Sequence, residues 1–328
     1  MRANGSAPAI ELRGVRKSYE STVAVDGLDL RVPRGATYGL LGPNGSGKTT
    51  TIRLILGILA ADRGEVRVLG GTATPEALDR IGYLPEERGL YRRMKVRRLL
   101  LFLAELKGLG RAEARPRIDA WLERLGLADR GEARVHELSK GMQQKLQFLA
   151  AVLHEPELVI LDEPFAGLDP INQETLKSAI GELRSQGRTV LLSTHQLELA
   201  ERLCDQVCII ARGRAVADGP IDEVRRGSHG TRVALALETW SPETAARIAA
   251  MPGVLEAAED GRDIEVALAE GADPQALLAE LVRVGARIQR FERIQPTLRQ
   301  VFLERAGGME RAGGMERAGG MERAGGRA

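Results

Sequence analysis

The stretch of sequence that decides the fold reads Gly42-Pro43-Asn44-Gly45-Ser46-Gly47-Lys48-Thr49. It follows the apolar run 38–41 and precedes residues 49–59, in which apolar side chains recur at helical spacing. A strand, a glycine-rich loop and a helix in this order bring backbone N–H groups around the phosphates of a nucleotide. We therefore expect this loop and Thr50 to bind a nucleoside triphosphate, Lys48 to contact its β- and γ-phosphates, and Thr49 to ligate magnesium.

A second segment, Leu158-Val159-Ile160-Leu161-Asp162-Glu163, places two carboxylates at the end of a continuous apolar run. Such a run is typical of a strand that is buried on both faces. Ligands of open α/β folds bind at the carboxyl ends of the strands, so Asp162 is expected to hold the magnesium ion. Glu163 should point away from Asp162, because side chains alternate along a strand, and it is our candidate for orienting the attacking water.

A third segment, Leu138-Ser139-Lys140-Gly141-Met142-Gln143-Gln144, contains a serine and a glycine in a turn. A hydroxyl and bare backbone amides, as Ser139 and Gly141 offer, are suited to a γ-phosphate. The other two segments already account for the triphosphate and its metal. This segment therefore indicates a contact with a phosphate that another subunit holds, and the three together predict an ATPase that works as a pair.

Strands and helices alternate along residues 1–224, which favours an α/β fold with a largely parallel core sheet. Residues 10–35 read as short strands joined by turns, residues 94–153 as mostly helical, and residues 189–193 and 206–210 as two further strands. These patterns predict an ATP-binding domain over residues 1–224, with antiparallel and helical parts beside the phosphate-loop core.

A break in composition at residues 225–230 predicts a linker. Beyond it we expect a small α+β domain over residues 231–303, with the ferredoxin-like order βαββαβ and a last helix that begins near Pro296. The predicted elements are strand 231–238, helix 242–251, strands 253–259 and 262–268, helix 273–284 and strand 286–294. We find no cluster of titratable residues in this domain and assign it no chemistry.

Residues 304–328 repeat the six-residue unit Glu-Arg-Ala-Gly-Gly-Met, with a fourth, broken copy at Glu322. Each unit carries two glycines and no large aliphatic residue. It cannot bury enough apolar surface to offset the entropy of ordering, so we expect this tail to be disordered.

The composition and charge of the chain bear on its partners and its location. There are 47 Lys and Arg against 45 Asp and Glu, so the net charge of +2 gives no reason to expect a nucleic-acid partner. No apolar run approaches the roughly 18 residues that span a bilayer, and the N-terminus lacks the features of a signal peptide. Cys204 and Cys208 are expected to be buried side chains in a reducing cytosol.

The three segments, in this order, resemble the ATP-binding subunits of ABC transporters. That family's signature usually reads Leu-Ser-Gly-Gly-Gln, and 138–144 aligns with it. In the family, two subunits pack head to tail, and the signature segment of each covers the ATP in the phosphate loop of the other. The resemblance adds three candidate residues: Asp169 in the loop Ala166-Gly167-Leu168-Asp169, His195 as the switch histidine near the γ-phosphate, and Tyr19 stacked on adenine.

Two features depart from the usual family pattern. The signature has Lys140 and Met142 where glycine and glutamine are usual. The segment Gly82-Tyr83-Leu84-Pro85-Glu86-Glu87-Arg88 occupies the place of the family's glutamine loop, but it has Glu86 where the glutamine is expected. Both departures and the C-terminal domain resemble the subgroup of export-type subunits, including sodium-extrusion and drug-efflux proteins. The resemblance implies a separate membrane permease as partner, contacted around residues 86–94, and a position at the cytoplasmic face of the membrane.

The main alternative is a soluble ABC ATPase that works in translation or DNA maintenance. Translation-type members usually carry two such cassettes in one chain, and DNA-maintenance members divide the cassette with a long coiled coil. This chain has one cassette, and residues 94–153 show no sustained heptads. A small-molecule kinase would have no use for the signature segment or for His195.

Overall fold

The computed structural model describes residues 7–87, 89–226, 231–238, 242–260, 263–269 and 271–306. The chain divides into two compact units, Met1–Ile221 and Asp222–Ala328. The elements of the first unit are β1 (Ile10–Tyr19), β2 (Thr22–Val32), β3 (Thr37–Leu41), α1 (Lys48–Ile55), β4 (Arg63–Val68), α2 (Pro75–Asp79), β5 (Ile81–Leu84), α3 (Val96–Leu106), α4 (Arg111–Arg124), α5 (Lys140–Val152), β6 (Leu158–Asp162), α6 (Pro170–Ser185), β7 (Thr189–Thr194), α7 (Leu197–Leu203), β8 (Gln206–Ala211) and β9 (Arg214–Pro220).

A six-stranded sheet in the order β5-β6-β7-β3-β8-β9 forms the centre of the first unit. Its first five strands are parallel and β9 pairs antiparallel with β8. The pairing aligns Asp162 with Ser193 and Leu41 with Thr194, so β6, β7 and β3 end side by side. This register brings the phosphate loop, the two carboxylates and the Ser-Thr-His segment to one edge of the sheet.

A three-stranded antiparallel sheet in the order β2-β1-β4 lies beside the phosphate loop. The short strands expected over residues 10–35 are instead two strands of ten and eleven residues, β1 and β2. The pairing of β1 with β2 shifts register at several points. At these points the strict alternation of buried and exposed side chains is interrupted, so the sequence pattern does not read as two long strands. The apolar faces of this sheet and of α1 share one core with the six-stranded sheet.

Helix α1 is shorter than its apolar spacing suggests, because it ends at Ile55 rather than near Leu59. Gly57 follows with φ +66°, a left-handed conformation that ends helices. Residues 96–152 are mostly helical, as expected, and contain α3, α4 and α5. Cys204 and Cys208 are buried and not bonded to each other, and burial raises the pKa of the Cys204 thiol to about 12.

The second unit begins within α8 (Ile221–Arg226). Its further elements are β10 (Arg232–Leu237), α9 (Pro242–Ala249), β11 (Val254–Asp260), β12 (Asp263–Leu268), α10 (Pro274–Arg283) and β13 (Ile288–Ile294). Its antiparallel sheet has the order β11-β12-β10-β13, which is the ferredoxin-like arrangement that the sequence predicts. Its apolar core is separate from that of the first unit.

The two ends of this unit differ in detail from the predicted boundaries. Helix α8 occupies the first two of the six residues 225–230, and the rest of that segment lies outside the described residues. A last helix covers residues 298–306, so the repeat continues it for three residues, and Glu304 accepts a hydrogen bond from Arg232 at 2.8 Å. Residues 307–328, which hold most of the repeat, also lie outside the described residues. Among the helices of the described part of the chain, none is both long and apolar enough to cross a membrane.

Candidate nucleotide site

The phosphate loop joins β3 to α1 and needs glycine at two positions for steric reasons. Gly42 has φ +152°, and a Cβ there would lie 2.2 Å from the carbonyl oxygen of Ile210. Gly47 has φ +110°, and a Cβ there would lie 2.4 Å from the carbonyl oxygen of Ala24. The loop is therefore held between β2 and β8 with no room for larger side chains at these two points.

Lys48 is the first residue of α1 and is 6% exposed. Its Nζ donates hydrogen bonds to the carbonyl oxygens of Gly42 at 2.7 Å and Pro43 at 3.2 Å. It also lies 3.5 Å from Oε1 of Glu163. The ammonium group is thus held inside the curve of the loop, where it can bind a negatively charged phosphate.

Asp162 ends β6 and has no exposed surface. The hydroxyl of Ser193 donates to its Oδ1, while Oδ2 has no hydrogen-bond partner among the described residues. Burial raises the pKa of the Asp162 carboxyl, and the hydroxyls of Ser193 and Thr49 beside it offset this rise only in part. A buried carboxylate oxygen without a donor is unfavourable by itself, which is typical of a position built for a bound group.

Glu163 and His195 form a pair at the same edge of the sheet. His195 Nδ1 lies 3.0 Å from each carboxylate oxygen of Glu163, which is only 6% exposed. The alternation of side chains along a strand, on which the prediction for the direction of Glu163 rests, does not extend to this residue. Strand β6 ends at Asp162, and Glu163 has a left-handed backbone with φ +48°. Such a conformation is costly for a residue other than glycine, and strained residues of this kind cluster at active sites and switch regions.

A cavity of about 310 Å³ opens at this edge of the sheet. Glu163 and Glu86 face it from outside the phosphate loop, and Ala24 faces it from β2. The structure therefore brings Glu86, at the family's usual glutamine position, to the same cavity as the loop. The loop and helix residues that line the cavity are Asn44, Gly45, Gly47, Lys48, Thr49 and Thr50.

Nine candidate residues are not among those that line this cavity. Five of them belong to the loop or to the adjacent edge of the sheet: Gly42, Pro43, Ser46, Asp162 and His195. The other four are Ser139, Gly141, Asp169 and Tyr19. Ser139 is exposed at the N-terminus of α5, and its hydroxyl accepts a hydrogen bond from the backbone N–H of Met142 at 3.2 Å. Tyr19 ends β1 with 42% of its surface exposed. Ser139, Asp169 and Tyr19 are thus exposed, whereas Gly141 is buried, and none of the four lines the cavity beside the phosphate loop.

Asp169 and Gly141 are linked by a residue that the sequence does not single out, Asn172. The backbone N–H of Asn172 donates to Asp169 Oδ1 at 2.9 Å, and these bonds from Asn172 lower the pKa of the Asp169 carboxyl. A Cβ on Gly141 would lie 3.0 Å from Asn172 Nδ2. The absence of a side chain at Gly141 therefore lets the N-terminus of α6 approach that of α5.

Ser193 is the second residue that sequence reasoning misses. Its hydroxyl donates to Asp162 and lies 3.2 Å from the backbone nitrogen of Glu163. Its backbone oxygen accepts from the same nitrogen at 3.2 Å. Ser193 thus orients the carboxylate of Asp162 and holds the backbone of Glu163. Its position two residues before His195 in the Ser-Thr-His segment is the signal that could have identified it.

The sheet order and the loop that follows β3 place the chain in the class of phosphate-loop nucleoside triphosphatases. Comparison with known proteins narrows this class. The model of the ABC transporter family matches residues 25–166, and that of the C-terminal domain of DrrA1-3-like ATP-binding proteins matches residues 219–306. The chain belongs to the family of ABC transporter ATP-binding proteins and is the ATP-binding, ATP-hydrolysing subunit of such a transporter.

Several relatives match over almost their whole length. The chain is 42% identical to the uncharacterized ABC transporter ATP-binding protein YhaQ of Bacillus subtilis, over 90% of this chain and 97% of that protein. It is 36% identical to the daunorubicin resistance ATP-binding protein DrrA3 of Streptomyces coeruleorubidus, over 91% and 96%. It is 33% identical to the Nod factor export ATP-binding protein I of Rhizobium sp. (strain N33), over 92% and 98%.

A solved structure of the ATP-binding subunit of an ABC transporter has the same fold as the first unit. It aligns with a TM-score of 0.63 and 35% sequence identity, and the alignment covers 66% of this chain and 92% of that one. The predicted fold class and family are therefore confirmed, and the soluble ABC ATPase is not favoured. As a member of this family, the chain works with membrane permease components.

Proposed function

We propose that two ATP-binding subunits close head to tail around two ATP molecules, and that this cycle drives export through a membrane permease. The observation that carries the proposal is the convergence of Lys48, Asp162, Glu163 and His195 on the carboxyl edge of one sheet. In each subunit, the phosphate loop binds the triphosphate and Tyr19 stacks on adenine.

The pairing of subunits is supported by the position of the signature segment. Ser139 is exposed at the start of the thirteen-residue helix α5, away from the cavity beside its own phosphate loop. The N-terminus of a helix carries a partial positive charge and unpaired N–H groups, which suit a phosphate. Ser139, Gly141 and Asp169 would therefore complete the site of the other subunit, which is a second copy of this chain or a relative.

Magnesium fits the residues at the end of β6. The free Oδ2 of Asp162 and the hydroxyl of Thr49 are oxygen ligands of the kind that magnesium prefers. Together with phosphate oxygens, they would hold the ion, which neutralises charge on the triphosphate when it is bound. Glu86 faces the same cavity and would contact the bound nucleotide–metal complex.

Hydrolysis is assigned to the pair Glu163–His195. Glu163 orients and polarises the attacking water, while His195 contacts the γ-phosphate and holds the carboxylate in place through its Nδ1. Lys48 Nζ lies 3.5 Å from Glu163 Oε1. A bound γ-phosphate would compete for this lysine, so nucleotide binding would free Glu163 to face the water.

The permease is expected to dock beside residues 86–94, where a largely apolar groove of about 410 Å³ opens. Pro85 and Leu90 line it from the segment that follows β5, and Leu103 and Leu106 line it from α3. Leu106 is 64% exposed, so covering this surface would bury apolar area. Docking here would connect the permease to Glu86 and hold the chain at the cytoplasmic face of the membrane.

Export is supported by relatives that share both units of this chain. The Nod factor export protein matches over 92% of this chain, so the likeness includes the C-terminal unit. Purification from native membranes in mild detergent tests the proposal. We expect a polytopic permease in stoichiometric amount; a protein that stays free of membranes, or that brings ribosomes or DNA, would contradict it.

A further inference from the structure

A cavity lined mainly by α3 and α4 shares no lining residue with the nucleotide cavity. Its volume is about 970 Å³, which is at the upper end for small-molecule sites. Met94, Leu101 and Ile118 form an apolar part of its lining. Tyr91 and Phe102 pack edge to face on its wall with ring centroids 5.8 Å apart. No part of the nucleotide chemistry uses this cavity.

The charges of the lining residues do not balance. Three carboxylates line the cavity, and each is paired with a lining cation: Lys95 with Glu132 at 2.9 Å, Arg97 with Asp119, and Arg111 with Glu105. Two lining arginines, Arg98 and Arg115, have no ion-pair partner among the residues that the structure describes. Both are exposed, one on α3 and one on α4. The cavity therefore combines surplus positive charge with an apolar and aromatic wall.

This combination fits an anionic amphiphile better than a simple ion or an acidic peptide. Arginine side chains bind phosphate groups through two parallel hydrogen bonds, and tyrosine is enriched at the level of the lipid headgroups. Tyr91 is 56% exposed and Phe102 36% exposed, so the rings are accessible from solvent. An acidic peptide would satisfy the arginines but would leave no reason for the exposed rings.

Helix α3 also places this cavity next to the membrane partner, a step that rests on the proposed function. Leu103 and Leu106 line the groove assigned to the permease, whereas Arg98 and Phe102 line the cavity between α3 and α4. A permease seated in the groove would hold α3 near the lipid headgroups. We propose that the cavity between α3 and α4 binds the phosphate headgroup of an anionic phospholipid, with Arg98 and Arg115 as its ligands.

Binding of the purified full chain to lipid vesicles, without any permease, tests this proposal. Vesicles of phosphatidylcholine are compared with vesicles that also contain about a quarter phosphatidylglycerol, and bound protein is measured by co-sedimentation. We expect binding to the anionic vesicles only. The double variant Arg98→Gln/Arg115→Gln should bind about ten- to thirtyfold more weakly, since each basic residue near a lipid surface contributes about 1 kcal/mol.

Arg31→Gln/Arg63→Gln is the matched control, because both arginines are exposed and lie outside the cavity. It loses the same charge, and its binding should stay close to that of the unchanged protein. Basal ATP hydrolysis should be unaltered in both double variants, which excludes misfolding. Equal losses in the two double variants would show a diffuse charge effect and overturn the proposal.

Two further outcomes would also overturn it. Binding of inorganic phosphate that is lost in Arg98→Gln/Arg115→Gln, together with no binding of the unchanged protein to the anionic vesicles, would assign the arginines to free phosphate. Unchanged vesicle binding by Arg98→Gln/Arg115→Gln, together with loss of the co-purified permease, would assign them to an acidic protein segment. Loss of vesicle binding with the permease still bound would support the lipid site, and absence of any permease would count against the proposed function alone.

Discussion

At the scale of single residues, the adjacent carboxylates Asp162 and Glu163 have different environments. Asp162 is fully buried, with one oxygen bonded to Ser193 and the other without a partner. Glu163 lies between a lysine and a histidine, both of which can compensate its charge. The first environment suits a metal ligand, and the second suits a group that handles protons at the reacting water.

Glu163→Gln should lower the ATPase rate by about 10²–10⁴, because a positioned catalytic group is lost. The amide keeps the shape of the side chain, so ATP should stay bound and the paired subunits should stay closed. Turnover and retained nucleotide are measured together. Glu174→Gln, which removes an exposed carboxylate beside Lys177, is the control and should hydrolyse ATP normally. Parental turnover in Glu163→Gln would show that another group polarises the water.

Asp162→Asn should make the nucleotide-free protein more stable while abolishing magnesium-dependent hydrolysis. The substitution removes a buried charge that is incompletely bonded, and Ser193 can still donate to the amide oxygen. We expect a gain of about 1–2 kcal/mol in the free energy of unfolding, measured in urea without nucleotide. A destabilised variant would mean that Asp162 is well solvated by its surroundings before any metal binds.

At the scale of elements, two glycines of the phosphate loop differ in how much space surrounds them, so they should differ in their tolerance of a side chain. Gly47→Ala drives a Cβ into the carbonyl oxygen of Ala24, whereas Gly45→Ala meets no atom within 4 Å although Gly45 also has a positive φ. Overpacking costs about 1–3 kcal/mol, so Gly47→Ala should weaken ATP binding by about five- to 150-fold more than Gly45→Ala. Equilibrium titration with ATP measures both; equal losses would point to φ strain as the common cause.

His154, just after α5, makes the free energy of unfolding depend on pH. Its Nε2 lies 3.2 Å from the carbonyl oxygen of Ile81. Burial first, and then the charge of Lys107, lower the pKa of His154 below its ordinary value of 6.5. Its neutral form is therefore favoured in the fold, and the stability that it contributes above about pH 6.5 is lost as the pH falls below that value.

His154→Gln should consequently lose less unfolding free energy than the unchanged protein between about pH 8 and about pH 5. The measurement is urea unfolding at both ends of this range. His136→Gln is the control, because His136 is exposed and makes a similar bond to the carbonyl oxygen of Arg92 at 2.9 Å. If the two variants show the same pH dependence, His154 is not the group responsible.

Elements with strong local patterns could be predicted from the sequence, but contacts between them could not. The order of the second unit follows from alternating apolar patterns, and β6 follows from one continuous apolar run. The contact between Lys48 and Glu163 depends on where β3 and β6 end in the sheet, which no local pattern gives. The left-handed backbone of Glu163 and the link from Asn172 to Gly141 arise from tertiary packing for the same reason.

At the scale of the whole molecule, the described part of each unit has an apolar core of its own, one within residues 10–210 and the other within residues 233–291. All residues that line the nucleotide cavity lie in the first unit. Domains with their own core can fold independently, and few contacts cross the boundary between them. ATP binding by one subunit should therefore not require the second unit or the repeat tail.

A chain that ends at Arg226, the last residue of α8, should bind ATP within about twofold of the full chain, as independent domains do. Equilibrium titration measures this affinity, and thermal unfolding of both proteins checks that the shorter one is folded. The same truncation carrying Lys48→Ala is the control and should bind weakly, because Lys48 is the buried cation of the phosphate loop. A folded truncation that fails to bind ATP would mean that the second unit shapes the nucleotide site, and it would then become the first place to look for regulation of transport.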